Sequence, residues 1–146
     1  MNRTVLFVDD EPNVLYAAMR NFRKQPFNML IASDSDSAKQ ILQTREVDLI
    51  VTDEKMPGQS GTQLLKWVVK HVPQVVRIVL TGEDSLDLAM RAINEAGVFR
   101  FLRKPCHPFD LAIAIREGLD SIESETRIAE FSKSTALEVS RYSTSD

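Results

Sequence analysis

The sequence is short of several things, and each shortage removes a class of protein. Among 146 residues there is one cysteine, Cys106, so no intrachain disulfide can form and a reducing compartment is expected. Long apolar runs are missing. Near the start the longest is Val5-Leu6-Phe7-Val8, with Asp9-Asp10 directly behind it, too short for a signal-peptide core or a membrane span. There is no basic excess: 18 Lys and Arg stand against 21 Asp and Glu, for a net charge of −3. A general nucleic-acid binder, which gains affinity by neutralising phosphates, is therefore not expected. The five glycines form no phosphate-cradling loop of the nucleotide-binding types, and Gly58 and Gly61 read as turn residues. His71 and His107 have no partners at metal-ligand spacing, and Cys106 reads as a small packing residue.

What remains is an ordinary globular mix, 43% hydrophobic and 27% charged, of a length that suits one domain. The expectation is a soluble, cytoplasmic protein. Short apolar runs alternate with amphipathic stretches. Val5 to Val8 reads as a buried strand, and Pro12 behind acidic residues starts a helix carrying Val14, Leu15, Ala18 and Phe22. A strand over Phe27 to Ala32 precedes N-cap candidates Ser33-Asp34-Ser35 and a helix with Ala38, Ile41 and Leu42. The run Val47 to Thr52, nearly continuous and rich in β-branched residues, fits a strand buried on both faces. It ends at Asp53, and the breaker-dense loop Met56 to Gly61 leads to a helix with Leu64, Leu65, Trp67 and Val68. Val75 to Leu80, a helix with Leu86, Leu88, Ala92 and Ile93, and Val98 to Leu102 follow. The last helix starts near Pro108 and carries Leu111, Ile115, Leu119 and Ile122.

Five strand–helix pairs without a hairpin predict an α/β protein, an open doubly wound parallel sheet with helices on both faces. After about Ile122 the apolar spacing decays and Ser and Thr crowd the end. This gives a folded domain over 1–122 and, over 123–146, a helical extension or linker fading into a disordered tail. About 25 residues hold no second domain, since a domain takes 50 or more.

Ligands of such a sheet bind outside the carboxyl ends of the strands, where strand order reverses. Those ends deliver Asp9 and Asp10, Asp53, Thr81 and Lys104. Carboxylates sharing a site repel one another, and a cation relieves this. Few hard oxygen ligands, with room for phosphate oxygens, suit Mg²⁺, with Mn²⁺ as the alternative. An ammonium and a hydroxyl complete a cradle for phosphoryl oxygens, and an aspartate can itself attack phosphorus to give an aspartyl phosphate. Asp53, alone on its strand end, is the candidate.

Val5-Leu6-Phe7-Val8-Asp9-Asp10-Glu11-Pro12, Asp53-Glu54-Lys55-Met56-Pro57-Gly58, Thr81-Gly82 and Lys104-Pro105 together resemble the receiver domain of two-component response regulators, over roughly residues 3 to 122. The resemblance implies a flavodoxin-like sheet of strand order 2-1-3-4-5. It implies Asp53 as phosphoacceptor, and Asp9, Asp10, Asp53 and the Lys55 backbone carbonyl as Mg²⁺ ligands. Thr81 and Lys104 would bind the phosphoryl group, across a cis Lys104–Pro105 peptide. Phe101 stands where the family's switching aromatic, often Tyr, is found. Lys55 and Glu83 occupy the two positions that tune phosphoryl lifetime, and an ion pair between them would screen the site from water.

Implied partners are a sensor histidine kinase or phosphotransfer protein and an unknown output domain or protein. The face of the fourth helix, fifth strand and last helix would be read out, with Arg91, Arg100, Arg103 and Arg116 as contacts. That face, or the C-terminal helix through Leu119, Ile122, Ile128 and Phe131, could also carry a homodimer. Neither nucleic acid nor membrane is an expected direct partner. Such a protein catalyses only its own phosphorylation and dephosphorylation and is otherwise no enzyme. A phosphatase forming an aspartyl phosphate is the alternative, but those of the haloacid dehalogenase type carry an aspartate where Lys55 stands. The stretch Asn94 to Cys106 resembles receivers fused to HD-GYP phosphodiesterases or similar output domains, so the chain is expected to be either a stand-alone receiver or one excised from a longer regulator.

Overall fold

The computed structural model describes residues 2–82 and 86–143, with side chains up to 135. The chain alternates β1 (Arg3–Val8), α1 (Pro12–Phe22), β2 (Phe27–Ala32), α2 (Ser35–Thr44) and β3 (Leu49–Asp53) with α3 (Gly61–His71), β4 (Val76–Thr81), α4 (Leu86–Ala96), β5 (Arg100–Arg103) and α5 (Pro108–Ser143). All pairings are parallel, and the strand order is β2-β1-β3-β4-β5. The expected α/β architecture and order are therefore present.

The continuous apolar runs of the central strands are explained by two covered faces. Successive side chains of a strand point to opposite sides. Leu6, Val8, Ile50 and Val79 pack with Ala38, Leu42, Leu64, Leu65, Val68, Ala92 and Ala96 from α2, α3 and α4. Their neighbours Val5, Phe7, Leu49, Val51 and Ile78 pack with Leu15 and Phe22 of α1 and Leu111, Ala114 and Ile115 of α5. Phe7 and Phe22 stack with ring centroids 5.5 Å apart. Each such fully buried side chain contributes about 1.5–3 kcal/mol, so the sheet is held from both sides.

Several boundaries differ from the sequence expectation. Val47, Val75 and Val98 are buried but precede their ladders, plugging the edge of the core where the backbone is still held by loop bonds such as Asp48 N–H to Thr4 O. Gly61, read as a turn residue, is the first residue of α3. A Cβ there would lie 2.3 Å from the backbone oxygen of Asp53, so only glycine lets the helix start against the end of β3. The last helix does not fade within the Ser- and Thr-rich stretch but continues to Ser143. Hydroxyls on its outer surface bond one turn back, Thr126 to Ile122 O and Thr135 to Phe131 O, so they do not compete for the backbone N–H groups of the helix. Contact with the body ends earlier: residues 123–135 are exposed. Leu119, expected in a dimer seam, packs instead against the chain's own core, whereas Ile128 and Phe131 are exposed. No described helix is long and apolar enough to cross a membrane.

Candidate functional site

Strand order reverses beside β1, so its carboxyl end and that of β3 open a crevice. Asp9 follows β1 directly and is buried. Its N–H donates to Ala32 O, and its Oδ1 accepts from the Glu11 N–H at 2.9 Å. That contact turns the chain toward Pro12, which opens α1. Asp53 ends β3, 8% exposed, and stands opposite Leu80 of β4. Carboxylate oxygens of Asp9, Asp10 and Asp53 all lie within 4.8 Å of one another. Thr81, the last residue of β4, is buried, and its carbonyl accepts the Lys104 N–H at 2.7 Å. The Lys104–Pro105 peptide is cis.

Lys104 crosses this crevice. Its Nζ lies 2.9 Å from Asp53 Oδ1 and 3.5 Å from Asp9 Oδ2. Burial works against the ammonium, but the hydrogen bond and charge of Asp53 and the charge of Asp9 outweigh it, so its pKa is raised. Burial likewise pushes the Asp9 carboxyl above its ordinary value; the Glu11 N–H and Lys104 oppose the shift, and Asp53 and Asp10 add to it. One ammonium thus pairs with two of three clustered acidic groups, which leaves the pocket with a surplus of negative charge. The donors are all hard oxygens, closely spaced and at the mouth of a crevice, a set that fits a small divalent cation.

The remaining expected residues fall around this centre. Lys55 lies exposed in the loop after Asp53. Phe101, on β5, is half-buried and packs on the α2–α3–α4 side of the sheet. Glu83, and with it the expected Lys55–Glu83 pair, lies outside the described residues. Of the four arginines expected on one face, Arg100 pairs with Glu117 at 2.8 Å, but Arg116 instead donates to Gln25 beyond α1.

Two features escaped the sequence reading. Ser60 and Gln63 form a reciprocal capping box at the start of α3, a pattern readable from Ser-x-x-Gln. Glu54, next to the strand-end aspartate, is buried and accepts from the Thr62 N–H and hydroxyl. Nothing in the local sequence announces a buried carboxylate there.

Comparison with known proteins gives the family. The sequence profile of the response regulator receiver domain matches residues 5–116. The chain belongs to that family. The receiver is 34% identical over 118 residues to the hydrogenase transcriptional regulatory protein HoxA of Cupriavidus necator, an alignment that takes in 81% of this chain and 24% of that protein. The chain spans about a quarter of the length of the curated relatives it matches. Among solved structures, the receiver is similar to the signal receiver domain of an HD domain-containing protein from Pseudomonas fluorescens Pf-5. There the TM-score is 0.81 and the identity 32%, with 85% of this chain and 99% of that one covered. It also resembles a structure described as adenylate cyclase from Rhodopirellula baltica, with TM-score 0.83 and identity 32%, covering 91% and 98% of the two chains. The receiver is thus homologous to those of two-component response regulators.

Proposed function

We propose that the receiver accepts a phosphoryl group on Asp53 from a phosphohistidine of a sensor histidine kinase or phosphotransfer protein. The observation that carries this is the ammonium of Lys104 bridging Asp53 and Asp9 inside a three-carboxylate cluster. An Asp53 carboxylate oxygen attacks phosphorus, the P–O bond forms, and the P–N bond to the donor imidazole breaks. Asp9, Asp10, Asp53 and the carbonyl of Lys55 would hold Mg²⁺ (or Mn²⁺), which would supply positive charge to neutralise phosphoryl oxygens. Lys104 then follows the charge from the carboxylate to the phosphoryl oxygens, and the Thr81 hydroxyl donates to another. Movement of Thr81 makes room for Phe101 to turn inward, which biases the face of α4, β5 and α5 between two states. On α4 that face exposes Leu86, Met90 and Ile93, apolar side chains that an output partner covers. Lys55 and Glu83 set the lifetime of the phosphoryl group, and replacing both with alanine, which removes their screen against water, shortens it; an unchanged lifetime overturns this.

Residues 1–122 form the receiver unit, and the rest of α5 is a linker toward an output domain. A cyclic-di-nucleotide phosphodiesterase is one such output, given the likeness to the receiver of an HD domain-containing protein.

Labelling with a small phosphodonor tests the reading. The parent chain takes up a base- and hydroxylamine-labile label only with Mg²⁺, and Asp53→Asn takes up none. Equal labelling of Asp53→Asn, or labelling indifferent to chelation, overturns it.

A further inference from the structure

The residue after the strand-end aspartate is fixed at every polar group it has. Glu54 donates its N–H to Leu80 O of β4 at 2.8 Å, and its carbonyl accepts the Gly61 N–H at 2.9 Å. Its carboxylate, in a residue only 6% exposed, accepts the Thr62 N–H at 3.2 Å and the Thr62 hydroxyl at 2.5 Å. The next donor of α3, the Gln63 N–H, goes to Ser60 Oγ at 3.2 Å, and the Leu64 N–H to Ser60 O. The N–H groups that a helix start leaves unpaired are thus satisfied half by Ser60 and half by Glu54, which also sets an anion against the positive end of α3.

The consequence is geometric. The loop 55–60 is pinned at both ends by one residue, and Gly61 brings α3 against Asp53 O so closely that no Cβ fits. A buried carboxylate is costly unless its acceptors are used, so an apolar side chain would be the simpler filling for this position. Here the carboxylate is retained and engaged by Thr62, in the first turn of α3 at the far end of the loop that carries Lys55.

We infer that Glu54, held by Thr62, is a positioning residue for cation binding at Asp53: it fixes the loop whose Lys55 carbonyl completes the ligand set. This rests on the phosphoacceptor reading above. Partners that orient a ligand from behind alter metal affinity about 10–100-fold when removed. Acting through the loop, the Glu54–Thr62 pair affects how tightly the ion is held more than how fast the phosphoryl group moves once it is held.

The test compares the parent with Glu54→Leu/Thr62→Val, which removes both side-chain partners together and leaves the Thr62 N–H as the group that loses its acceptor. Thr62→Val and Thr62→Ser serve as single variants. Mg²⁺ binding is read by calorimetry without phosphodonor, and labelling rate is read against Mg²⁺ concentration with acetyl phosphate. The double variant should bind Mg²⁺ about tenfold more weakly, with a matching rise in half-saturating Mg²⁺ and a maximal labelling rate within about twofold of the parent. Thr62→Val should weaken binding by a smaller factor, and Thr62→Ser, which keeps the hydroxyl, should match the parent. Should the double variant not fold, the two single variants decide alone. Parental Mg²⁺ affinity in Thr62→Val and the folded double variant, or equal losses in Thr62→Ser and Thr62→Val, overturns the inference. A parent that takes no label overturns the phosphoacceptor reading instead, so the two failures are distinguishable.

Discussion

Lys104 Nζ sits 2.9 Å from Asp53 Oδ1 while remaining 3.5 Å from Asp9 Oδ2. A single ammonium therefore lies against two of the three carboxylates that a divalent cation would use. This relationship makes opposite predictions for metal binding and for phosphorylation.

Replacing Lys104 with methionine keeps the stem and removes the charge. Mg²⁺ binding should tighten, because a competing cation is gone, while labelling of Asp53 should fall by about 100-fold, because a charge aimed at the phosphoryl oxygens is lost. Without metal the variant should lose about 1 kcal/mol of stability, a modest figure because the lysine side chain is 34% exposed and its pairs are partly screened. Calorimetry, labelling and thermal unfolding read these separately. Weaker Mg²⁺ binding in the variant would contradict the competition.

Acidity enters through Asp9. Its carboxyl is raised above the ordinary value of 3.8, first by burial. A raised pKa means that the folded state binds this proton more tightly than the unfolded chain does. In the metal-free protein, then, stability falls as pH rises through the raised value and is regained on acidification toward 3.8. Mg²⁺ needs the carboxylate form, so its affinity should fall on acidification at a higher pH than an ordinary aspartate, near pH 4, would give. Affinity that stays constant down to about pH 4 would show that Asp9 takes no part in the site.

Lys104 contributes at the other end of the scale. Its folded pKa is raised above 10.5 by Asp53 and Asp9 against the opposing effect of burial. The stability it adds is fully present below 10.5 and is lost as pH rises through the folded value. Alkaline unfolding of Lys104→Met should lack that component of the parent's pH dependence.

Gly61→Ala places a methyl group 2.3 Å from Asp53 O, a contact with backbone that no side-chain rotation relieves. The expected loss is about 1–3 kcal/mol, accompanied by weaker Mg²⁺ binding because the end of β3 must shift. At Gly82, where a Cβ meets nothing within 4 Å, alanine should be tolerated by the packing. Equal unfolding midpoints for the parent and Gly61→Ala would refute the close approach.

Ending the chain after residue 123 removes only exposed helix among the described side chains. The shortened protein should unfold within about 0.5 kcal/mol of the parent and accept label at the same rate. A larger loss would mean that the projecting part of α5 supports the body, and that the proposed boundary at 122 is misplaced.

The sequence by itself determined the order of elements, the parallel sheet and the identity of Asp9, Asp10, Asp53, Thr81 and Lys104 as neighbours. It could do so because apolar periodicity is local, and because strand ends in such a sheet must converge. The tertiary structure alone decided that one lysine, Lys104, reaches both Asp53 and Asp9 and that Leu119 turns inward. It also decided that Gly61 belongs to α3 and that Glu54 is buried on Thr62. These depend on how closely α3 and α5 approach the sheet, a distance set by packing between residues far apart in the chain, and no local pattern of residues encodes it.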